Sequence, residues 1–220
     1  MIDLSTWNLT IPEEVPAYTL STAALNQDYA STYFQRVGST LFFWAPVTGT
    51  TTRSSVYPRS ELRETLASGE LHNWHYGTGS HRLNVSMAVT QVPSSGKTVI
   101  GQIHSKDNSK PFAKIVYRHY NGVGYVGLEI RKKPDDAASP VVLAYKGVPL
   151  HYPFDYSFDI SNGNQLTVNL HGLTYTTTID PQWSGKRFYF KTGMYVIDNE
   201  GPETEGGRVE MYSLDLQHLQ

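Results

Sequence analysis

Apolar and polar residues alternate along short stretches of this chain, and glycine, asparagine or proline closes each stretch before a helical period can build up. Alternation with a period of two is the signature of a strand with one face buried, and no long run repeats at 3.6 residues. Tyr117–Tyr120 leads through Asn121-Gly122-Val123-Gly124 into Tyr125–Arg131, which predicts a hairpin. Asn-Gly suits it because both central residues of a type I′ turn need positive φ. A second hairpin is expected from Tyr156–Ile160 through Ser161-Asn162-Gly163-Asn164 to Gln165–Leu170. His171-Gly172 then turns the chain into Leu173–Ile179. Leu83–Val89, Thr98–Ser105, Arg187–Val196 and Gly207–Leu216 read as further strands, and helix is limited to a turn near Thr22–Leu25. Many strands with closely spaced turns point to an all-β, jelly-roll-like sandwich of two antiparallel sheets. With 220 residues, no repeat and no linker-like break, the chain is expected to form one domain, 1–220.

Composition narrows the function. Eighteen Lys+Arg against 20 Asp+Glu leave a net charge of −2, without the basic excess of a nucleic-acid binder. The absence of Cys excludes a disulfide scaffold, a thiolate zinc site and a cysteine nucleophile. No stretch approaches the ~20 apolar residues that span a bilayer. The opening Met1–Thr10 lacks the basic start and apolar core of a signal peptide, so the expected compartments are the cytoplasm, export by another route, or a mature periplasmic or secreted form. Fifteen Tyr and four Trp supply flat faces with polar edges, which suit sugar rings as well as sheet surfaces. The turn-rich stretches Pro46–Pro58 and Asn199–Gly207 are candidate lids or plain surface loops.

Three strand segments carry polar residues on the face opposite their apolar ones. In Arg59-Ser60-Glu61-Leu62-Arg63-Glu64, Arg59, Glu61 and Arg63 point one way and Leu62 points to a core. Glu61 can hold two guanidinium forks apart and leave donors for an outside carboxylate, although a surface ion-pair ladder fits equally. In Gln102-Ile103-His104 the polar pair shares a face, and no spaced Asp, Glu or second His completes a metal-ligand pattern. In Phe188–Tyr195, Tyr189, Lys191, Gly193 and Tyr195 lie opposite Phe188, Phe190 and Met194. Gly193 fits either a close substrate approach or a bulge. If these faces line one concave sheet, the site is cationic, rich in donors and equipped to move protons. It has neither a hydroxyl-nucleophile triad nor paired carboxylates, which favours proton abstraction beside a carboxylate over hydrolysis.

At these residues the chain resembles the family 7 polysaccharide lyases, alginate lyases of jelly-roll (concanavalin-like) fold with a concave substrate groove. Their signature strands, R-(S/T)-E-L-R, Q-(I/V)-H and Y-F-K-A-G-x-Y-x-Q, stand here as Arg59–Arg63, Gln102–His104 and Tyr189–Tyr195, in order. Asp3–Leu9 and Gly207–Leu214 also look like the family's ends, so the resemblance spans the chain. Thr192 replaces the usual Ala, and Ile197 stands where Gln is usual.

The resemblance implies endolytic β-elimination on poly-mannuronate/guluronate (M/G), leaving 4,5-unsaturated uronate ends. Arg59, Gln102 and His104 would neutralise the substrate carboxylate, and Tyr195 would act as acid, and as base for M. His104 would be the base for G. Glu61, Arg63 and Lys191 would bind substrate, Arg63 and Lys191 at neighbouring uronates, and Glu61 would also orient the arginines. Ile103 leans the expectation toward G or MG stretches. No cofactor or metal is required, and a monomer is expected, with no nucleic-acid or membrane partner. Two other readings stay open: a sandwich-fold glycoside hydrolase, which needs two carboxylates across the scissile bond, and a non-catalytic carbohydrate-binding module.

Overall fold

The computed structural model describes residues 1–161 and 163–220; Asn162, in the second expected hairpin turn, lies outside them. The strands in chain order are β1 (Trp7–Ile11), β2 (Tyr18–Leu20), β3 (Phe34–Val37), β4 (Thr40–Pro46), β5 (Arg59–Glu64), β6 (Ser80–Gln91), β7 (Lys97–Ser105) and β8 (Ala113–Tyr120). They continue with β9 (Val123–Ile130), β10 (Val141–Lys146), β11 (Phe154–Ser161), β12 (Gln165–Leu170), β13 (Leu173–Thr178), β14 (Phe188–Val196) and β15 (Gly206–Leu219). One helical turn, α1 (Thr22–Leu25), and a 3₁₀ turn at Pro181–Trp183 are the helical elements among the described residues. None is long and apolar enough to cross a membrane.

Two antiparallel sheets result. The first runs β10-β9-β8-β7-β14-β5-β1-β2 and the second β13-β12-β11-β6-β15-β4-β3. The expected hairpins form where the turn chemistry placed them. Asn121 and Gly122 take φ of 50° and 75° between β8 and β9, and His171 and Gly172 take 49° and 89° between β12 and β13, as a two-residue turn requires. Strands β1 to β4 and β10 escape the periodic reading. In β1 all five residues are buried, so alternation carries no signal there.

The two sheets close over a single apolar cluster. Leu62, Ile103, Phe188, Phe190 and Met194 of the first sheet meet Val85, Met87, Phe158, Val209 and Met211 of the second. Thr192, the departure from the usual Ala, faces this core. Its hydroxyl lies 2.7 Å from that of Tyr156 and donates to the Ile100 carbonyl at 3.1 Å, so the buried phenol has a partner. Gly101 makes room for Tyr156, whose hydroxyl would lie 2.5 Å from a Cβ there.

The register of the first sheet positions the site. Asn8, Arg63, Lys191, Gln102, Lys114 and Glu129 are successive cross-strand partners from β1 through β5, β14, β7 and β8 to β9. A row of polar side chains therefore crosses six strands on the face away from the core.

Candidate active site

A groove of about 640 Å³ lies on that face. Arg59 and Arg63 reach it from β5, Gln102 and His104 from β7, and Tyr189, Lys191 and Tyr195 from β14. Alternation on three adjacent strands thus brings Arg59, Gln102, His104 and Tyr195 around one cavity. The register shifts between Thr192 and Tyr195, and Gly193 sits there with φ of 135°. A Cβ on it would lie 2.7 Å from the Ser60 carbonyl oxygen. Of the two sequence readings of Gly193, the bulge and its tight packing are what the geometry supports.

Glu61 is the hub beneath the groove floor, only 2% exposed. Its carboxylate accepts from Arg59 Nη1 at 3.1 Å, lies 2.9 Å from Lys191 Nζ and accepts from Gln102 Nε2. Burial pushes this carboxyl up, but Lys191 and Arg59, with the hydrogen bonds from Lys191 and Gln102, outweigh it and hold the group below its usual range. Burial lowers Lys191 to about 8, against the pull of Glu61. Glu61 was expected to bind substrate and to orient both arginines. Sealed under the floor, it instead sets the direction of Arg59, Lys191 and Gln102.

Arg63 departs from that expectation because a loop claims it. Its guanidinium donates to the carbonyls of Glu64 and His72 and to Asn73 Oδ1, and stacks 4.0 Å over the Tyr189 ring. It still lines the groove, as a fixed cationic wall.

His104 stacks on Tyr189 with ring centroids 5.3 Å apart. Its Nδ1 lies 2.9 Å from the Ser105 carbonyl oxygen and 2.8 Å from the Ser105 amide nitrogen. Nδ1 can accept from that amide N–H or donate to that carbonyl, not both; in the tautomer with the hydrogen on Nδ1, Nε2 keeps a free lone pair. Desolvation, with Lys191 close by, pulls the imidazole down to about 4, so it is neutral at ordinary pH. Tyr195 lies under Arg59, whose guanidinium carbon is 3.9 Å from the ring centroid, and its hydroxyl is 3.0 Å from Ser55 Oγ.

Several contributors were not read from the sequence. Ser55 and Tyr57 come from the Pro46–Pro58 stretch, which forms one wall of the groove with Thr52 and Ser54. Lys97, Lys106 and Lys114 add cations. Lys114 and Arg118 share strand parity in β8, a usable signal, but only the register shows that they converge with Lys97 on Glu129, at 2.6, 2.9 and 3.1 Å. Six Lys or Arg residues line the groove and, among the described residues, no Asp or Glu does. The second candidate lid, carrying Glu200, Glu203 and Glu205, contributes nothing to that lining. Glu200 and Glu203 are exposed, and Glu205 accepts from the Ser94 amide. Ile197 does line the groove, so an apolar side chain stands at this usually polar position.

Comparison with known proteins is consistent along the whole chain. The alginate lyase family model matches residues 2–218. An alginate lyase from Pseudomonas aeruginosa is 43% identical and superposes with a TM-score of 0.94, covering 98% of this chain and 99% of its own. Alginate lyase A1-II′, described as a member of polysaccharide lyase family 7, is 30% identical with a TM-score of 0.89, covering 100% and 97%. A variant of A1-II′ in complex with substrate (GGMG) is 30% identical with a TM-score of 0.87, covering 99% and 94%. Among curated protein sequences none matches. The family match over nearly the full length, the two-sheet fold and the three motif strands meeting in one groove agree: the chain belongs to the alginate lyase family, polysaccharide lyase family 7.

Proposed function

We propose that Arg59, Gln102, His104 and Tyr195 carry out β-elimination on alginate bound along the cationic groove. The observation that carries this reading is the composition of the groove: six cations, a neutral imidazole and three phenols, Tyr195 among them, with no carboxylate among the described lining residues. A glycoside hydrolase would need two carboxylates there. A binding module would have no use for a desolvated, uncharged histidine beside a phenol.

The reaction removes the C-5 proton of a uronate and expels the O-4 of the glycosidic bond, forming the C-4–C-5 double bond. The C-5 proton is barely acidic while the adjacent carboxylate carries full negative charge. Donors aimed at that carboxylate stabilise the charge that builds up as the proton leaves. Arg59 and Gln102, both steered by Glu61, supply those donors. For guluronate, where proton and leaving oxygen lie on opposite sides, neutral His104 takes the proton through Nε2 and Tyr195 gives its own to O-4. For mannuronate, where both lie on one side, Tyr195 in its phenolate form takes the C-5 proton and then gives it to O-4. Lys191, Arg63, Lys97, Lys106 and Lys114 hold neighbouring uronates, which is how a chain of net charge −2 gathers a polyanion.

The groove is open, and residues 1–220 act as one catalytic domain on internal bonds of G-containing stretches. Incubation with defined poly-M, poly-G and poly-MG tests all of this. New ultraviolet absorbance from the conjugated double bond marks elimination, and early release of long oligomers marks endolytic action. Reducing ends without that absorbance would mean hydrolysis, and neither signal would mean a binding module.

A further inference from the structure

On the opposite side of β5 from the groove, Glu64 begins a polar chain that the elimination reaction does not use. Glu64 is fully buried, and its Oε1 accepts from Trp74 Nε1. Its Oε2 lies 3.0 Å from His218 Nε2, in the other sheet. His218 Nδ1 lies 2.8 Å from His81 Nδ1, and His81 Nε2 lies 2.8 Å from the Thr78 carbonyl and 3.2 Å from that of His75. His72, half-buried, meets His218 edge-on at 4.5 Å between centroids. Glu64, His72 and His218 each offer one ligand atom, all within 4.8 Å of one another.

The hydrogen positions follow from the acceptors. Carbonyls only accept, so His81 carries its hydrogen on Nε2 and, when neutral, presents a lone pair at Nδ1. His218 must then carry its hydrogen on Nδ1, and its Nε2 lone pair points at the Glu64 carboxylate. Two acceptors 3.0 Å apart repel unless something positive stands between them. Either an extra proton on this chain or a cation satisfies them. Fully buried, a bare carboxylate is costly there.

We propose that Glu64, His72 and His218 form a binding site for a zinc-like divalent transition-metal ion, separate from the groove. Two imidazoles and one carboxylate are a donor set zinc takes with a further position left for water, whereas magnesium and calcium prefer oxygen alone. The surroundings are those of a metal site as well. The second ring nitrogen of His218 is held by His81, which is anchored on a carbonyl, and the second carboxylate oxygen is held by Trp74. Ligand atoms around a tetrahedral ion stand about 3.4 Å apart for bonds of about 2.1 Å. Closing the remaining distance requires the half-buried His72 ring to rotate toward the other two ligands. Through His72 the ion ties down the same loop whose His72 carbonyl and Asn73 side chain hold Arg63.

The test uses the full, untagged chain stripped with a chelator and then titrated with Zn²⁺ and Co²⁺. The expected result is one ion per chain by calorimetry, intense visible bands of low-coordinate Co²⁺, and a higher Tm with Zn²⁺ but not with Mg²⁺ or Ca²⁺. His72→Ala, at a half-buried loop position, should keep the circular dichroism spectrum of the parent and lose the cobalt bands and the zinc-induced Tm shift. Glu64→Gln should lose both as well if it folds. Failure of the parent chain to bind either ion, or unchanged binding by His72→Ala, overturns the proposal.

Discussion

Strand β5 carries two buried glutamates, three residues apart and on opposite faces, and they have opposite fates. Glu61 is ringed by Arg59, Lys191 and Gln102 and is held ionised, whereas Glu64 meets an indole and an imidazole and is pushed up to about 8. Burial opposes the charge of both. Ion pairs with Lys191 on β14 and Arg59 on β5 itself decide the outcome for Glu61, whereas at Glu64 burial outweighs the weaker pull of His72, Trp74 and Arg63. The lesson is that β5 separates two tasks. Its groove face stores fixed charge for chemistry, and its inner face joins the two sheets.

If this separation is right, removing one atom on the groove side should abolish chemistry and leave the fold intact. Tyr195→Phe keeps the ring under Arg59 but loses the hydroxyl, so kcat should fall by about 10²–10⁴-fold with Tm nearly unchanged. A variant retaining more than about a tenth of parental kcat would remove Tyr195 from the mechanism. The paired substitution Glu61→Gln against Glu64→Gln compares the two carboxyls directly by chemical denaturation in the presence of a chelator. Glu61→Gln leaves Arg59 and Lys191 crowded and uncompensated and should cost about 3–5 kcal/mol. Glu64→Gln supplies an amide donor to His218 and should cost about 1 kcal/mol. Equal losses would erase the distinction.

A third measurement reads the charges of the groove through pH. His104 is neutral down to about 4, so kcat/KM on guluronate-rich substrate should hold well below pH 6 and fall only near 4. An acid limb near the ordinary histidine value of about 6.5 would contradict the desolvated imidazole. On the alkaline side, KM should rise as pH passes about 8 and Lys191 gives up its charge. The sign for stability follows from His104 too. Between about 4 and 6.5 the unfolded chain takes up a proton that the folded imidazole refuses, so this group makes stability rise with pH across that window. The smallest effect is expected from chelation, which should leave kcat unchanged because no groove residue belongs to the Glu64 cluster. Loss of turnover on chelation, restored by one divalent ion, would join the two faces into one mechanism.

Local pattern alone determined much of this protein. Alternation showed that Arg59, Glu61 and Arg63 share a face opposite Leu62, that Gln102 and His104 do so opposite Ile103, and that Tyr189, Lys191 and Tyr195 oppose Phe188 and Phe190. Asn121-Gly122 and His171-Gly172 placed two hairpins through their need for positive φ. These features are legible because side-chain direction in a strand and turn geometry depend only on near neighbours. Register does not, since it is set by how strands distant in sequence pack. Only the tertiary structure could show that Glu61 serves Lys191 rather than Arg63, that a loop captures Arg63, and that Lys97, Lys114 and Arg118 converge on Glu129. The Glu64–His72–His218 cluster is the extreme case. Its members come from a strand end, a loop and the last residues of the chain, with no spacing motif to join them, and they meet only because the two sheets close over a common core.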